Sequence, residues 1–588
     1  MTTMTHMPIT TPEQRPELAS DSAPPNPRRY DLDALRAFAM LLGIALHAAL
    51  AFAPIPWLAM NKETTPALVV FFEVIHGFRL PLFFLMSGFF SAMLLQRRGI
   101  GGFLNHRWKR IGLPLLLGMF TILPAMWGVI IGGNVLKAIV PAPERDWGGD
   151  DGAASIWHAS ASGDLASVQL LVRSGVPVNE PDPRLSTLPL AWAATGDHAE
   201  VVAFLLEAGA DPNQRMGDDN VPLHTACFFG AAESAALLLD AGADPTAENS
   251  RGETPVEAMR HGRGVVEFIA DLLGVEVDFE RVESGRREIT SMIGSRGDEE
   301  QAENPATPIR DLLVGFIGGE LFMHLWFLWH LCWFACALAV VSMLLRLLPW
   351  RNVPGVLVAT PLCLVGLIPL TVLTQGWQAG FGPDTSAALL PAPHVLAHYA
   401  VFFGFGALMH GAKGAADRLG RAWWVYLPIA AVACVLALRL THDPLAFADR
   451  GIDAEAGALL GPVLQSVFVW TTSFGLMGLA RVLISRPSAR VRYVSDSSYW
   501  LYVAHLPLVV AGQFALAYVS LPPLVEFALL TVATTAVLLL SYHWLVRYTW
   551  IGRLLNGKRV RPGTASDVGR EPTSADAPHA SAPSIRIP

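Results

Sequence analysis

Apolar stretches of about 20 residues recur along this 588-residue chain, and they constrain its fold more than any other feature. An α-helix needs roughly 20 apolar residues to cross the hydrocarbon core of a bilayer. Only 16% of the residues are charged, against about 25% in soluble domains, and the mean hydropathy is +0.40. We therefore predict an all-α, polytopic membrane protein with about ten transmembrane helices, at roughly 33–53, 67–95, 111–131, 324–347, 354–374, 392–411, 422–440, 459–484, 496–517 and 522–546.

Lysine and arginine occur mainly in every second loop, which predicts the orientation. They precede the first span and follow the second, fourth, sixth, eighth and tenth, as in Arg28, Arg29, Arg97, Arg98, Lys413, Arg418, Arg421, Arg486, Arg490, Lys558 and Arg559. Because cytoplasmic loops carry the excess of basic residues, both termini are expected in the cytoplasm of a multi-pass inner (plasma) membrane protein. The long polar segment after the third span is then extracytoplasmic, which is the periplasm in a bacterium.

That polar segment contains an internal repeat. The run Gly175-Val-Pro-Val-Asn179 is followed by Gly209-Ala-Asp-Pro-Asn213 and by Gly242-Ala-Asp-Pro-Thr246, at spacings of 34 and 33 residues. The ankyrin period is 33 residues, and Pro222-Leu-His-Thr-Ala226 resembles the ankyrin T-P-L-H-x-A signature. We predict an inserted ankyrin-repeat solenoid of three to four units, acting as a spacer or as a binding module for a protein partner.

These features divide the chain into six parts. We predict a disordered arm over 1–29, a first membrane part over 30–140, the ankyrin insert over 150–275, a charged linker over 276–308, a second membrane part over 309–556 and a disordered tail over 557–588. The formal net charge is −8 and no long basic run is present. Nucleic acid is therefore not an expected partner, whereas membrane lipid is.

Ionisable residues inside spans are costly and mark functional sites by default. In the first span, Arg36 and His47 are eleven positions apart, which places them on one helix face about 16 Å apart. Asp33 lies one turn before Arg36 and can pair with it. The alternative is structural: an arginine that extends to the membrane surface and a histidine packed in the core.

The second span carries Glu73, His76 and Arg79 on one face. Glu73 and Arg79 could form an orienting ion pair, and Glu73-x-x-His76 could be half of a di-metal site. No second copy of that motif exists, and the His394/His398 pair has no evident further ligand. We therefore expect no metal and no tightly bound cofactor.

Three further groups complete the candidates. The cluster His106-Arg-Trp-Lys-Arg110 either sets topology or grips phosphates, since arginine forks fit phosphate oxygens. His324-Leu-Trp326-Phe-Leu-Trp-His330 opens the fourth span, and Ser498-Tyr-Trp-Leu-Tyr-Val-Ala-His505 lies in the ninth. His505 is thereby placed at membrane depth.

In combination these motifs resemble the acyltransferase-3 family of membrane acyltransferases. The resemblance is carried by Asp33-x-x-Arg36-x10-His47, Phe83-Phe84-x-x-Ser87-Gly88-Phe89, Arg107-x-x-Arg110 and Ser498-Tyr499-Trp500-x-Tyr502-x-x-His505. The runs His76-Gly-Phe-Arg79 and His324-Leu-Trp-Phe-Leu328 are most similar to the branch of the glucan biosynthesis protein C acyltransferases, which succinylate periplasmic glucans. The match covers about 30–140 and 310–556. The ankyrin insert departs from it, and so does Trp329-His330 where many relatives carry an acidic residue.

The resemblance implies transfer of an acetyl or succinyl group from acyl-CoA to a carbohydrate hydroxyl, such as that of a glucan or a cell-surface glycan. His47 would be the general base, since a histidine titrates near neutral pH; Arg36, paired with Asp33, would orient the site or stabilise negative charge. Arg107 and Arg110 would hold the CoA phosphates, and the further substrate-site candidates are His76, Arg79, Trp326 and His505. A transporter, or a receptor or scaffold built around the ankyrin segment, remains the alternative.

Overall fold

The computed structural model describes residues 29–53, 65–140, 155–294 (except 183–185, 218, 250–251, 274 and 276), 321–345, 347, 355–442 (except 379), 454–484, 486, 488–519 and 521–557. Of the predicted disordered segments 1–29 and 557–588, residues 1–28 and 558–588 lie outside the described part of the chain. Across the described parts the chain is helical and contains no strand, which confirms the predicted all-α class.

The first membrane part consists of α1 (Tyr30–Ala49), α2 (Pro66–Arg107) and α3 (Leu113–Ile139). Gly99 has a φ of 66° inside α2, outside the helical region, and therefore kinks it. A π-turn, Trp108–Gly112, joins α2 to α3. The predicted second and third spans are thus parts of one nearly continuous helical stretch, Pro66–Leu136.

The described residues between 155 and 294 form nine short helices. They are α4 (Ile156–Ala161), α5 (Leu165–Arg173), α6 (Pro189–Thr195), α7 (Ala199–Glu207), α8 (Pro222–Phe229), α9 (Ala232–Asp240), α10 (Pro255–Ala258), α11 (Arg263–Leu273) and α12 (Phe279–Gly294). The glycines that open the repeated runs, Gly175, Gly209 and Gly242, have φ values near 90°, a conformation that favours glycine. The repeat read in the sequence therefore corresponds to a repeated helix pair and turn.

The predicted linker 276–308 requires a correction, because residues 279–294 form α12. The guanidinium of Arg286 donates to the carbonyl oxygens of Phe228 and His261, and Ile289 is fully buried in the repeat core. The compact unit therefore extends to Gly294. Charge alone suggested a linker, but the apolar residues of α12 recur at helical spacing and cover the last repeat.

The second membrane part consists of α13 to α22. These are α13 (Trp326–Leu345), α14 (Gly355–Ala359), α15 (Cys363–Gln375), α16 (Pro393–Gly411), α17 (Ala415–Leu419), α18 (Trp423–His442), α19 (Ala454–Leu483), α20 (Ala489–Leu516), α21 (Pro523–Ser541) and α22 (Trp550–Asn556). Within the described residues, seven helical stretches are long and apolar enough to cross a membrane, and the longest has 71 residues. The predicted fifth and sixth spans coincide with the 13-residue α15 and with α16.

Contacts between loops divide the bundle into two ends. At one end, which we call the basic end, Asp417 pairs with Arg29 and Arg481 at 2.8 Å, and Arg110 donates to the carbonyl of Arg553 at 2.7 Å. At the opposite end, the imidazole of His442 lies 2.9 Å from the Glu73 carboxylate. In each of these contacts, both partners are residues that the sequence analysis places on the same side of the membrane.

Close approach of helix backbones holds the centre of the bundle. A Cβ added to Gly88 of α2 would overlap the carbonyl oxygen of Phe403, and one added to Gly406 of α16 would overlap that of Leu85. Small residues permit such packing between transmembrane helices. The bulky Phe84, Tyr399 and Trp470 fill the space alongside and are fully buried.

Candidate functional site

Three histidines from distant parts of the chain meet inside the bundle. His47 lies at the end of α1, His324 in the turn before α13, and His505 in the middle of α20. The Nδ1 atom of His47 and the Nε2 atom of His505 are 2.9 Å apart, and the rings of His324 and His505 are 5.5 Å apart in an edge-to-face arrangement. We call these three residues the histidine cluster.

Backbone carbonyls fix the proton positions in the cluster. The Nδ1 atom of His505 lies 2.6 Å from the Tyr502 carbonyl oxygen, which can only accept, so this nitrogen carries the proton. His505 Nε2 is then an acceptor, and Nδ1–H of His47 donates to it and to the Gly43 carbonyl at 2.8 Å. In this tautomer the lone pair of His47 is on Nε2, as a general base requires.

Further buried groups hold the cluster in place. The side-chain amide of Gln513 donates to the His47 carbonyl at 2.9 Å, and the hydroxyl of Tyr502 donates to the His324 carbonyl at 2.6 Å. His324 in turn donates from Nε2 to the Val503 carbonyl at 3.1 Å. These bonds connect α1, α20 and the turn before α13, so the imidazoles keep one geometry.

Arg79 places a positive charge beside the cluster. Its side chain is 8% exposed, and its guanidinium lies so close to the backbone of Gly43 that a Cβ there would overlap it. Gly43 is one turn before His47, which puts the guanidinium within electrostatic reach of both His47 and His505. A fixed cation at this place can stabilise negative charge that develops near the imidazoles.

A cavity of about 440 Å³ opens towards the basic end of the bundle. Four arginines line it, against one carboxylate, that of Asp496; the arginines are Arg36, Arg107, Arg110 and Arg492. Apolar walls, including Phe83 and Phe327, lead inwards, and Phe327 packs on Tyr502 at 5.6 Å between ring centroids. A cleft lined mainly by one sign of charge concentrates ligands of the opposite sign.

A second cavity of about 420 Å³ lies next to the first and shares Arg110 and His106 with it. Among the described residues, its lining includes Arg98, Lys109 and Arg553 and no acidic side chain. We call the two together the basic cavities. Their charge fits a ligand that carries several phosphates.

One face of α1 connects the basic cavity to the histidine cluster. Arg36 and Met40 line the cavity, Gly43 faces Arg79, and His47 joins the cluster. α20 runs parallel to α1, because Ser495 Oγ donates to the Asp33 carbonyl at one end and Gln513 to the His47 carbonyl at the other. The two sites thus lie at opposite ends of one face of α1, about 16 Å apart along the helix axis.

Arg36 and His47 lie on one helix face but in different sites. Arg36 is in the basic cavity, where its guanidinium lies 5.5 Å from the centre of the Phe90 ring and 3.8 Å from the Asp33 carboxylate. A shared helix face does not bring together residues three turns apart, and tertiary packing gave His47 other neighbours. Asp33 therefore also belongs to the basic end, and neither residue lies beside His47.

Of the remaining candidates, Arg107 lines the first cavity, whereas the contacts of His76 and Trp326 are to other residues of the bundle. His76 lies 2.8 Å from the Pro383 carbonyl oxygen, one turn before Arg79, and Trp326 packs edge-to-face on His330 at 4.8 Å. Arg107 donates to Ser91 Oγ at 2.7 Å. The carboxylate of Glu73 pairs with His442 and does not form the suggested ion pair with Arg79.

Several site residues escaped the sequence analysis. His324 was noticed but not placed in the site, and Gln513, Tyr502, Arg492 and Asn556 were not considered as site residues at all. Gln513 is a buried polar residue about two turns after His505, and Tyr502 is about one turn before it, so helical spacing was the signal that could have found both. Asn556 has no such signal, because only the fold brings it to the cavity.

Fold and site together define a polytopic membrane protein with an internal histidine cluster, a basic cavity at one end and an inserted ankyrin unit. Residues 29–158 and 289–543 match the acyltransferase-3 model, described as an acyltransferase domain, and residues 156–249 match ankyrin repeats in three copies. The first match covers more than half of the chain, and the chain belongs to the acyltransferase-3 family. The predicted family is thereby confirmed.

Similar individual proteins align over a shorter region. Glucans biosynthesis protein C of Escherichia coli (strain SMS-3-5) is 40% identical over 92 residues, 16% of this chain and 24% of that protein. The protein of the same name from Salmonella paratyphi B is 39% identical over 95 residues, 16% of this chain and 25% of that protein. The alignment thus spans about a quarter of the length of these relatives.

Proposed function

We propose that this protein is a membrane O-acyltransferase that moves an acyl group from acyl-CoA to a carbohydrate hydroxyl. The observation that carries the proposal is that the basic cavity and the histidine cluster lie at opposite ends of one face of α1. Transfer of a group from a polyanionic donor to an alcohol needs one site that binds the donor's phosphates and another that removes the proton of the alcohol. Membership of the acyltransferase-3 family supports the same reaction.

On the donor side, the phosphates of acyl-CoA would lie among Arg36, Arg107 and Arg492 in the basic cavity. Guanidinium groups bind phosphate oxygens through two parallel hydrogen bonds, and partial burial strengthens those bonds. The extended pantetheine arm would then pass between Phe83 and Phe327 towards the histidine cluster. This arrangement moves Arg36 from the catalytic role given to it by the sequence to a donor-binding role.

On the acceptor side, His47 would act as the general base. Its Nε2 lone pair takes the proton of the acceptor hydroxyl as the oxygen attacks the thioester carbonyl. Arg79 would stabilise the negative charge on the carbonyl oxygen. When the tetrahedral intermediate collapses, the carbon–sulfur bond breaks, and the CoA thiolate receives the proton from the His47 imidazolium.

The acceptor is proposed to be a glucan or a related cell-surface glycan, and the acyl group to be succinyl or acetyl. The similar proteins from Escherichia coli and Salmonella paratyphi B are named glucans biosynthesis protein C, which supports a glucan as the acceptor. No tightly bound cofactor or metal enters this scheme. A protein partner for the ankyrin insert remains part of the proposal.

The proposed location is a bacterial inner membrane with both termini in the cytoplasm and the ankyrin unit outside. Two contacts support the sidedness. The end of α3 meets α20 where Tyr518 donates to the Val140 carbonyl at 3.1 Å, and Phe322 donates to the Ala387 carbonyl at 3.0 Å. Val140 and Phe322, which flank the insert in sequence, thus lie at the end opposite the basic cavities, and this supports an extracytoplasmic insert.

The test is acyl-CoA turnover by the purified full-length protein, with a glucan acceptor and both succinyl-CoA and acetyl-CoA as donors. His47→Ala is expected to abolish turnover and to leave CoA binding intact. Arg107→Ala is expected to weaken CoA binding about tenfold, as the loss of one charge-assisted contact does. His543→Ala is the matched control, because His543 is an exposed histidine on the same bundle. Full turnover by His47→Ala would refute the general-base role, and no turnover by the unmodified protein with either donor would refute the reaction.

A further inference from the structure

The short helix α22 completes both basic cavities, although it lies beyond the part of the chain that matches the family model. Leu555 and Asn556 line the first cavity, and Arg553 and Leu554 line the second. Four consecutive residues of one short helix thus form part of the walls of two adjoining cavities. Their position depends on whatever holds α22 against the bundle.

Arg110 is one of the groups that hold it. Its Nη1 atom donates to the carbonyl oxygens of Arg553 at 2.7 Å and Leu554 at 2.8 Å. These carbonyls lie in the last turn of α22, where the Arg553 carbonyl also accepts from the backbone amide of Gly557 at 3.0 Å and the helix dipole is negative. A guanidinium at this place both caps the helix and ties it to the start of α3.

Three other contacts fix the same helix. The side-chain amide of Asn556 donates to the Asp496 carbonyl of α20 at 2.6 Å. Gly552 packs so closely on the backbone of the preceding turn that a Cβ would overlap the carbonyl oxygen of Val546. Leu555 is buried against Tyr542 and Val546. These contacts, together with those of Arg110, hold α22 against the bundle.

We propose that α22 is a clasp that completes the donor site, and that Arg110 is a positioning residue that holds this clasp. This rests on the proposed function, since the ligand of the cavities is taken to be the polyanionic donor. In this assignment Arg553 and Asn556 contribute directly to donor binding. Arg110, the second arginine of the Arg107-x-x-Arg110 motif, also lines both cavities, but its Nη1 atom is taken up by the carbonyls of α22, and we assign its effect to the position of that helix.

The test compares Arg110→Ala, Gly552→Ala and the double variant in the full-length protein, with Gly128→Ala as the control. Gly128 is also a helical glycine, and a Cβ there meets no atom within 4 Å. The first readout is hydrogen exchange at the backbone amides of 550–556, which needs no donor. Both single variants should lose protection there, and the control should not. Unchanged protection in Arg110→Ala would overturn the clasp.

The second readout is the steady-state kinetics with acyl-CoA. Each single variant should raise KM for the donor about tenfold, as the loss of a charge-assisted hydrogen bond does, and should change kcat little. The double variant should raise KM no further, because both changes release the same helix. Additive effects would mean that Arg110 contacts the donor directly, and would overturn its positioning role. Absence of all turnover would instead refute the proposed function, and hydrogen exchange would still decide whether the clasp exists.

Discussion

His505 offers the sharpest test of how the histidine cluster works, through the substitution His505→Ala. The change removes the acceptor that lies 2.9 Å from Nδ1 of His47. It leaves the Gly43 carbonyl, at 2.8 Å from the same nitrogen. His47 therefore keeps one acceptor for its Nδ1 proton, and the lone pair stays on Nε2.

The expected loss is small for this reason. One intramolecular hydrogen bond contributes about 0.5–1.5 kcal/mol, and about 1.4 kcal/mol corresponds to a tenfold change in rate. We expect kcat to fall about three- to tenfold in His505→Ala. Removing the general base itself is expected to lower the rate about 10²–10⁴-fold. The rate losses of His505→Ala and His47→Ala should therefore differ by about an order of magnitude or more.

The assay is single-turnover acyl transfer by the full-length protein, which isolates the chemical step from product release. His505→Gln is the rescue variant, because a side-chain amide oxygen can accept the His47 proton where the Nε2 atom of His505 did. It should recover most of the lost rate. His543→Ala again serves as the exposed control.

Two results would refute this reasoning. If His505→Ala were as inactive as His47→Ala while folded, His505 would touch the reacting atoms and would not be a positioning residue. If His505→Ala and His505→Gln were equally slow, the hydrogen bond would not be the reason for the loss.

Two further predictions concern packing. Gly88→Ala should lower the midpoint of thermal unfolding in detergent by several degrees, because the added Cβ would overlap the backbone of the facing helix and overpacking costs about 1–3 kcal/mol. The control, Gly404→Ala, places its Cβ in open space and should leave the midpoint unchanged. Equal midpoints for the two variants would contradict the close helix contact. Gly285→Ala should loosen α12 from the ankyrin repeats and expose Cys227 to alkylation, whereas Gly294→Ala should not. In the unmodified protein Cys227 should resist alkylation even at pH 9, since burial raises the pKa of its thiol to about 12; rapid labelling there would contradict the packing.

Sequence periodicity was sufficient for the helices and for the repeats. Apolar runs predicted the membrane helices because the bilayer fixes their length, and the repeated glycine turns predicted the ankyrin unit. Spacing also placed Arg36 and His47 on one face of α1. Spacing within one helix says nothing about which helix lies opposite, so it could not separate the two residues into two sites.

The partners of His47 illustrate the limit most clearly. His505 and Gln513 follow it by more than 450 residues, and they meet it because α1 and α20 pack in parallel. The linker error has a related cause: the charged surface of α12 dominated its composition, whereas its buried Gly285 and Ile289 face the repeats. In both cases tertiary contacts decided what local patterns left open.

The two ends of the bundle also constrain the role of the ankyrin insert. A transferase that joins substrates from two sides needs one opening for each, and the basic cavities occupy one end. Val140 and Phe322, which flank the insert in sequence, lie at the other end, which is the end towards which α1 carries His47. An insertion at the basic end would crowd the entry of a donor. An insert at the opposite end, as proposed, would leave that entry open, and a partner of the ankyrin unit would be held near the side where the acceptor is proposed to arrive.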